Sequence, residues 1–130
     1  MRRAQRAMTI DTLQNTQPGR ELEIELEALE FTSLCPLTSA PDFGRLTIRY
    51  VPAEALLELK SLRDYLTSFR ERKILQEEVV GAVLDEIVRS AAPRFAEVEG
   101  IFNVRGGLTT RARARFGENP FGNAQDRSAR

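Results

Sequence analysis

The chain has 130 residues, 42% of them hydrophobic, which suits one small domain with a core of its own. Lys+Arg and Asp+Glu each number 19, so no net field draws it to nucleic acid or to an anionic membrane. It has no histidine and one cysteine, which excludes Ser-His-Asp and Cys-His nucleophile pairs, Cys/His zinc sites and an internal disulfide.

Residues 1–18 are polar and run into Pro18-Gly19, so they are expected to form a flexible N-terminal arm. Residues 19–116 read as the domain, and 117–130, rich in Gly and Asn, as a flexible C-terminal tail. Leu22, Ile24, Leu26 and Ala28 alternate with Glu21, Glu23, Glu25 and Glu27, the pattern of a half-buried strand with a solvated acidic face. Arg45 to Pro52 alternates again, so the two strands are expected to pair antiparallel across a Cys35–Asp42 loop. Pro52 precedes a helix start at Ala53 and Glu54, and Leu57, Leu62, Tyr65, Leu66 and Phe69 carry that helix to Arg70. A second helix covers about Leu75 to Ser90, with Val79, Val80, Val83, Leu84, Ile87 and Val88 as its apolar stripe, and Pro93 stops it. Phe95–Val104 and Leu108–Phe116 alternate and are joined at Arg105-Gly106-Gly107. Arg111, Arg113 and Arg115 share a face of the last strand, too narrow a basic stripe to predict direct nucleic-acid binding.

The order β-β-α-α-β-β predicts an α+β layer, a four-stranded antiparallel sheet with two helices on one face. Its two open edges predict self-association. One cysteine, no secretory signal and no segment of membrane-spanning length predict a cytoplasmic protein.

The lone thiol is either packing or chemistry. Cys35 follows an alternating apolar run and precedes Pro36 amid small hydroxyl residues, so it is expected at a strand end opening into a loop, where a thiol can meet a substrate. Asp42 follows seven residues later, after Pro41, and by itself reads equally well as a turn residue.

Three segments together resemble one family. Glu30-Phe-Thr-Ser-Leu-Cys-Pro-Leu-Thr-Ser-Ala-Pro-Asp-Phe43 resembles the nucleophile loop of the NADPH-dependent 7-cyano-7-deazaguanine reductases. Glu58-Leu-Lys-Ser-Leu-Arg-Asp-Tyr-Leu66 is similar to that family's cofactor-associated signature. Ser68-Phe-Arg-Glu-Arg-Lys-Ile-Leu-Gln-Glu-Glu78 resembles its substrate segment, and the Arg105-Gly106-Gly107 turn also fits.

The resemblance implies the single-module type of the tunnelling fold, in which subunits form a shared oligomeric barrel of stacked pentameric rings with active sites between subunits. It implies reduction of the nitrile of 7-cyano-7-deazaguanine to an aminomethyl group in queuosine biosynthesis, a tRNA modification, with two NADPH and a cysteine thioimide. Cys35 would be the nucleophile and Asp42 the general acid and base. Glu77, Gln76, Glu58 and Leu59 would bind substrate, and Lys60, Ser61 and Arg63 the cofactor; no metal is implied. Gln76 stands where the family usually has histidine, Leu59 where serine is usual and Arg63 where lysine is usual. No G-x-G-x-x-G is present, so NADPH is implied by the resemblance alone. Two other readings stay open: an amidine-forming transferase acting on the same nitrile in tRNA, and a non-catalytic deazapurine-binding module.

Overall fold

A computed structural model of the chain describes residues 8–122. The elements in order are β1 (Thr12–Gln14), β2 (Ile24–Leu34), β3 (Pro41–Val51), β4 (Ala55–Leu57), α1 (Leu59–Thr67), α2 (Gln76–Ala91), β5 (Phe95–Arg105) and β6 (Leu108–Gly117). The main sheet is antiparallel in the order β2-β3-β5-β6, and β1 pairs with β4 in a separate two-stranded ribbon. This is the expected α+β layer, with two helices packed on a four-stranded sheet. None of the described helices is long and apolar enough to cross a membrane.

Alternation divides the sheet into two faces. Leu46, Ile48 and Tyr50 of β3 and Ala96, Val98 and Phe102 of β5 are buried against Leu62 and Tyr65 of α1 and Val79, Val80, Val83 and Ile87 of α2. Each large aliphatic side chain so buried contributes roughly 1.5–3 kcal/mol. The opposite face is charged, and its charges alternate along the cross-strand register. Glu25 pairs with Arg49, Arg49 with Glu97 and Glu97 with Arg115, a row that spans all four strands. All three pairs are ion pairs, and Glu99–Arg113 adds a fourth beside them. Arg113 and Arg115 therefore spend their charge on carboxylates of the same sheet.

Two β-bulges interrupt the ladders at one end of the sheet. On β2, the register shifts between Ala28 and Phe31, so Leu29 and Glu30 together oppose Arg45. On β5, it shifts between Phe102 and Arg105, so Asn103 and Val104 oppose Thr109. A bulge changes the parity of the strand beyond it. The even positions Ile24, Leu26 and Ala28 pack on the core before the first bulge, and the odd positions Phe31 and Ser33 are buried after it. Gly106 and Gly107, with φ of 58° and 83°, then close the β5–β6 hairpin in the left-handed conformation such a two-residue turn needs.

Several elements differ from the sequence expectation. Part of the expected arm is structured: β1 pairs with β4, Ile10 is buried in the core, and Asn15 is buried with its side chain donating to Ala53 O at 2.8 Å. In the expected tail, Asn119 Nδ2 donates to Glu23 Oε2 at 2.6 Å, while residues 1–7 and 123–130 lie outside the described residues. The first helix begins at Leu59 and not near Ala53, because Ala55–Leu57 is taken up by pairing with β1 and Leu57 N–H donates to Tyr50 Oη at 3.0 Å. Asp42 lies inside β3 and not in a loop, because β3 starts at Pro41.

Gly44 sits on β3 opposite Phe31 and Phe102, between the two bulged strands. A Cβ there would lie 2.5 Å from Ile101 O and 3.0 Å from Phe102. Gly44→Ala is expected to lower the unfolding free energy by about 1–3 kcal/mol, measured by urea denaturation; a midpoint equal to the parent's would show that the strands yield freely here.

Candidate active site

The bulged end of the sheet assembles a site from four separate segments. Leu34 at the end of β2 accepts from Ile74 N–H and donates its own N–H to Arg72 O, each at 3.0 Å. These bonds lay residues 72–74 along β2 and bring the start of α2 next to Cys35. The resulting cavity, of about 230 Å³, is lined by Cys35, Asp42, Gln76, Glu77, Asn103 and Arg105, among others.

The turn after β2 fixes Cys35. Its carbonyl accepts from Ser39 N–H at 2.8 Å, its N–H donates to Ala40 O at 2.9 Å, and Ser39 takes a left-handed φ of 62°. The same turn brings Thr38 near the thiol, its hydroxyl also accepting from Ala40 N–H at 3.2 Å. A hydrogen bond from the Thr38 hydroxyl, followed by bonds from the Thr38 and Leu37 backbone, holds the thiol below its ordinary value, against the opposing effects of burial and of the Asp42 charge. Cys35 is therefore more readily a thiolate than a free cysteine.

Asp42 is 3% exposed. Arg105 Nη1 donates to its Oδ1 at 2.5 Å and also reaches the Cys35 thiol, and these two anionic partners push the guanidinium above its usual value. Arg105 was not among the residues expected at the site. By simple alternation it would face the charged side of the sheet; the β5 bulge turns it toward Asp42. The only sequence signal was its place before the glycine pair.

On α2, Glu78 Oε1 accepts from Leu75 N–H at 3.1 Å and so caps the helix, leaving Glu77 as the acidic side chain at the cavity. Gln76 lines the cavity beside it.

The α1 residues do not join this cavity within one chain. Glu58 is the N-cap of α1, its carboxylate accepting from Lys60 N–H at 2.7 Å and Ser61 N–H at 2.8 Å, which holds it below its usual value. Ser61 Oγ accepts from Asp11 N–H at 2.8 Å. Lys60 pairs with Asp64 at 3.1 Å. Leu59 and Arg63 are exposed and line a second cavity, of about 360 Å³, between α1 and β2. Among the described residues Arg63 forms no ion pair, so a free guanidinium and a weakly engaged ammonium share the α1 surface, a donor set that suits phosphate groups. Tyr65 offers no proton chemistry near neutrality: burial pushes it up to about 12, and its hydroxyl donates to Ala82 O at 3.2 Å.

The Thr38 contact generates a prediction. The thiolate exists above the thiol's titration point, so Thr38→Val moves that point upward and slows iodoacetamide alkylation of Cys35 severalfold at pH 7, with the rates converging at high pH. With a single cysteine in the chain the alkylation readout has one source; coincident profiles would rule out the hydroxyl's role.

Residues 41–120 match the QueF-like protein family. A relative named NADPH-dependent 7-cyano-7-deazaguanine reductase, from Anaeromyxobacter dehalogenans (strain 2CP-C), is 49% identical over 87% of this chain and 93% of its own. Another of that name, from Thermomicrobium roseum, is 44% identical over 89% of this chain and 91% of its own. The crystal structure of the archaeosine synthase QueF-Like in the apo form superposes with a TM-score of 0.70 over 75% of this chain and 96% of that one; at 23% identity the likeness is one of fold. By sequence, by coverage and by fold, the chain belongs to the QueF-like family.

Proposed function

We propose that the chain reduces the nitrile of 7-cyano-7-deazaguanine to an aminomethyl group with NADPH, a step toward queuosine in tRNA modification, and that Cys35, Asp42 and Glu77 carry the chemistry. The observation behind this reading is that a thiol held below its ordinary value, a buried carboxylate and a helix-borne carboxylate converge on one cavity. Relatives of 41–49% identity that cover most of the chain are named reductases of this nitrile, which favours reduction over amidine formation and over a non-catalytic module.

A nitrile carbon accepts hydride poorly. Cys35 adds to it: the sulfur–carbon bond forms, one π bond of the nitrile breaks, and the thiol proton passes by way of Asp42 to the nitrogen, giving a thioimide. Arg105 fixes the orientation of Asp42 during that transfer. When bound, NADPH supplies the hydrides that reduce the thioimide and then the imine, and Lys60, Ser61 and Arg63 on α1 are the residues that would hold it. Between the two reductions the carbon–sulfur bond breaks and Cys35 leaves as thiolate, stabilised again by Thr38. Glu77 accepts the adjacent N–H donors of the guanine-like edge and fixes the ring. Gln76 donates and accepts hydrogen bonds beside it without titrating.

The same reading assigns the assembly. Within one chain, the α1 residues stand apart from the Cys35 cavity, as they would if a neighbouring subunit completed each site. The edge strands β2 and β6 run in opposite directions, so β6 of one copy can receive β2 of the next antiparallel, and the ring of sheets can close into a barrel. Their charges also suit: the sheet-wide row ends in half-exposed Glu25 at one edge and half-exposed Arg115 at the other. Sedimentation at micromolar concentration is expected to show a large homo-oligomer, and a monomer alone would contradict this assembly.

The catalytic reading is tested by mass and by absorbance. Intact protein mixed with 7-cyano-7-deazaguanine is expected to gain the mass of one nitrile per chain at Cys35, and to consume two NADPH per amine formed. Cys35→Ala should lose both signals. No adduct in the parent, or product from Cys35→Ala, would overturn the mechanism, and an adduct without NADPH oxidation would revive the transferase reading.

A further inference from the structure

Among the described residues one buried side-chain polar atom has no hydrogen-bond partner, the hydroxyl oxygen of Ser33. Ser33 is 0% exposed and sits two residues before Cys35. A buried hydroxyl left unpaired costs stability, and an alanine would fill the same space without that cost. Backbone pairing explains nothing about the oxygen, because the ladder of β2 is satisfied by any residue type. The position must be read from what faces it.

Ser33 faces Asp42. The two are directly opposed in the β2–β3 register, so their side chains rise from the same side of the sheet. Opposed residues in an antiparallel pair hold their Cβ atoms about 4.5–5.5 Å apart, within reach of a hydroxyl and a carboxylate after a side-chain rotation. The β2 bulge produces this arrangement; without the shift between Ala28 and Phe31, Ser33 would face the charged side of the sheet. Arg105 occupies Asp42 Oδ1, which leaves the other carboxylate oxygen for a second donor.

We propose that Ser33 is a positioning residue for Asp42: its hydroxyl, idle in the free protein, donates to the Asp42 carboxylate during proton transfer to the nitrile nitrogen and holds that carboxylate on line. Asp42 takes the proton from the Cys35 thiol, hands it to the nitrogen and returns to the carboxylate, while Ser33 keeps its own proton throughout. Arg105 and Ser33 then grip the carboxylate from two directions, one from the β5 end and one from β2. This rests on the reading of Asp42 as the proton-transfer group.

The test uses Ser33→Ala in the full chain and three measurements. The unfolding midpoint is expected to stay at or rise above that of the parent, since no hydrogen bond is lost. Alkylation of Cys35 by iodoacetamide is expected to keep its rate, since the thiol and Thr38 are untouched. Thioimide formation with 7-cyano-7-deazaguanine without NADPH, followed by intact mass, is expected to slow roughly tenfold. An unchanged thioimide rate overturns the proposal, and so does a fall in thioimide rate accompanied by a lower midpoint or a changed alkylation rate, because the hydroxyl is then structural. Asp42→Asn separates the two levels of inference: if it forms thioimide as fast as the parent, the assignment of Asp42 fails; if it stalls while Ser33→Ala keeps pace, Ser33 alone fails.

Discussion

Strand parity is the constraint on which this molecule depends. In a regular ladder every side chain's face is set by counting, and one extra residue inverts the count for everything beyond it. Here two such inversions lie at the same end of one sheet, on β2 and β5, with β3 running unbroken between them. β3 keeps Asp42 on the core face throughout. The bulges bring Ser33 and Arg105 onto that face from either side, so the site converges around a strand that never changes step. Gly44 is where β3 and β5 approach closely at this end, since a Cβ there would meet Ile101 O and Phe102.

The two faces of the sheet divide the work. The helix side excludes water, and Phe31, Phe69 and Phe102 lock it at the reactive end, with ring centroids 5.5 and 6.3 Å from Phe31. That packing holds the last turn of β2 still beneath the thiol. The charged side carries rows of opposite sign whose members neutralise one another, so the sheet has a polar face without a strong field. Arg49 and Glu97 are mostly withdrawn from solvent there, and removing either would leave the other with one ion-pair partner in place of two.

Much of this was legible in the chain. The four long strands, the second helix and the glycine turn followed from period and breakers, because their apolar residues repeat cleanly and Pro93 and Gly106-Gly107 punctuate them. The motif around Cys35 pointed to the right family. What stayed hidden has physical causes. Thr12–Gln14 holds a single apolar residue, Leu13, and becomes a strand only because Ala55–Leu57, distant in sequence, offers an edge. That same pairing moved the start of the first helix from Ala53 to Leu59. The β5 bulge left no compositional mark, since Asn103-Val104-Arg105 continues the apolar–polar alternation while the ladder slips beneath it; on β2 the alternation breaks at Ala28-Leu29, a mark that does not show how the strand resumes beyond it. Arg105 and Ser33 depend wholly on those slips, which is why neither was foreseen. The Glu58 cap shows a different limit: a residue in a recognised signature can also be doing an ordinary helix-end job.

The cavity's inventory of ionisable side chains also has a kinetic consequence. An imidazole would have added a second titration in the neutral range. Without one, among the described lining residues only sulfur ordinarily changes charge in the interval between carboxylic acids and guanidinium. A rate profile recorded across neutrality therefore carries no imidazole inflection, and the thiol is the lining group whose ordinary titration lies nearest to that range.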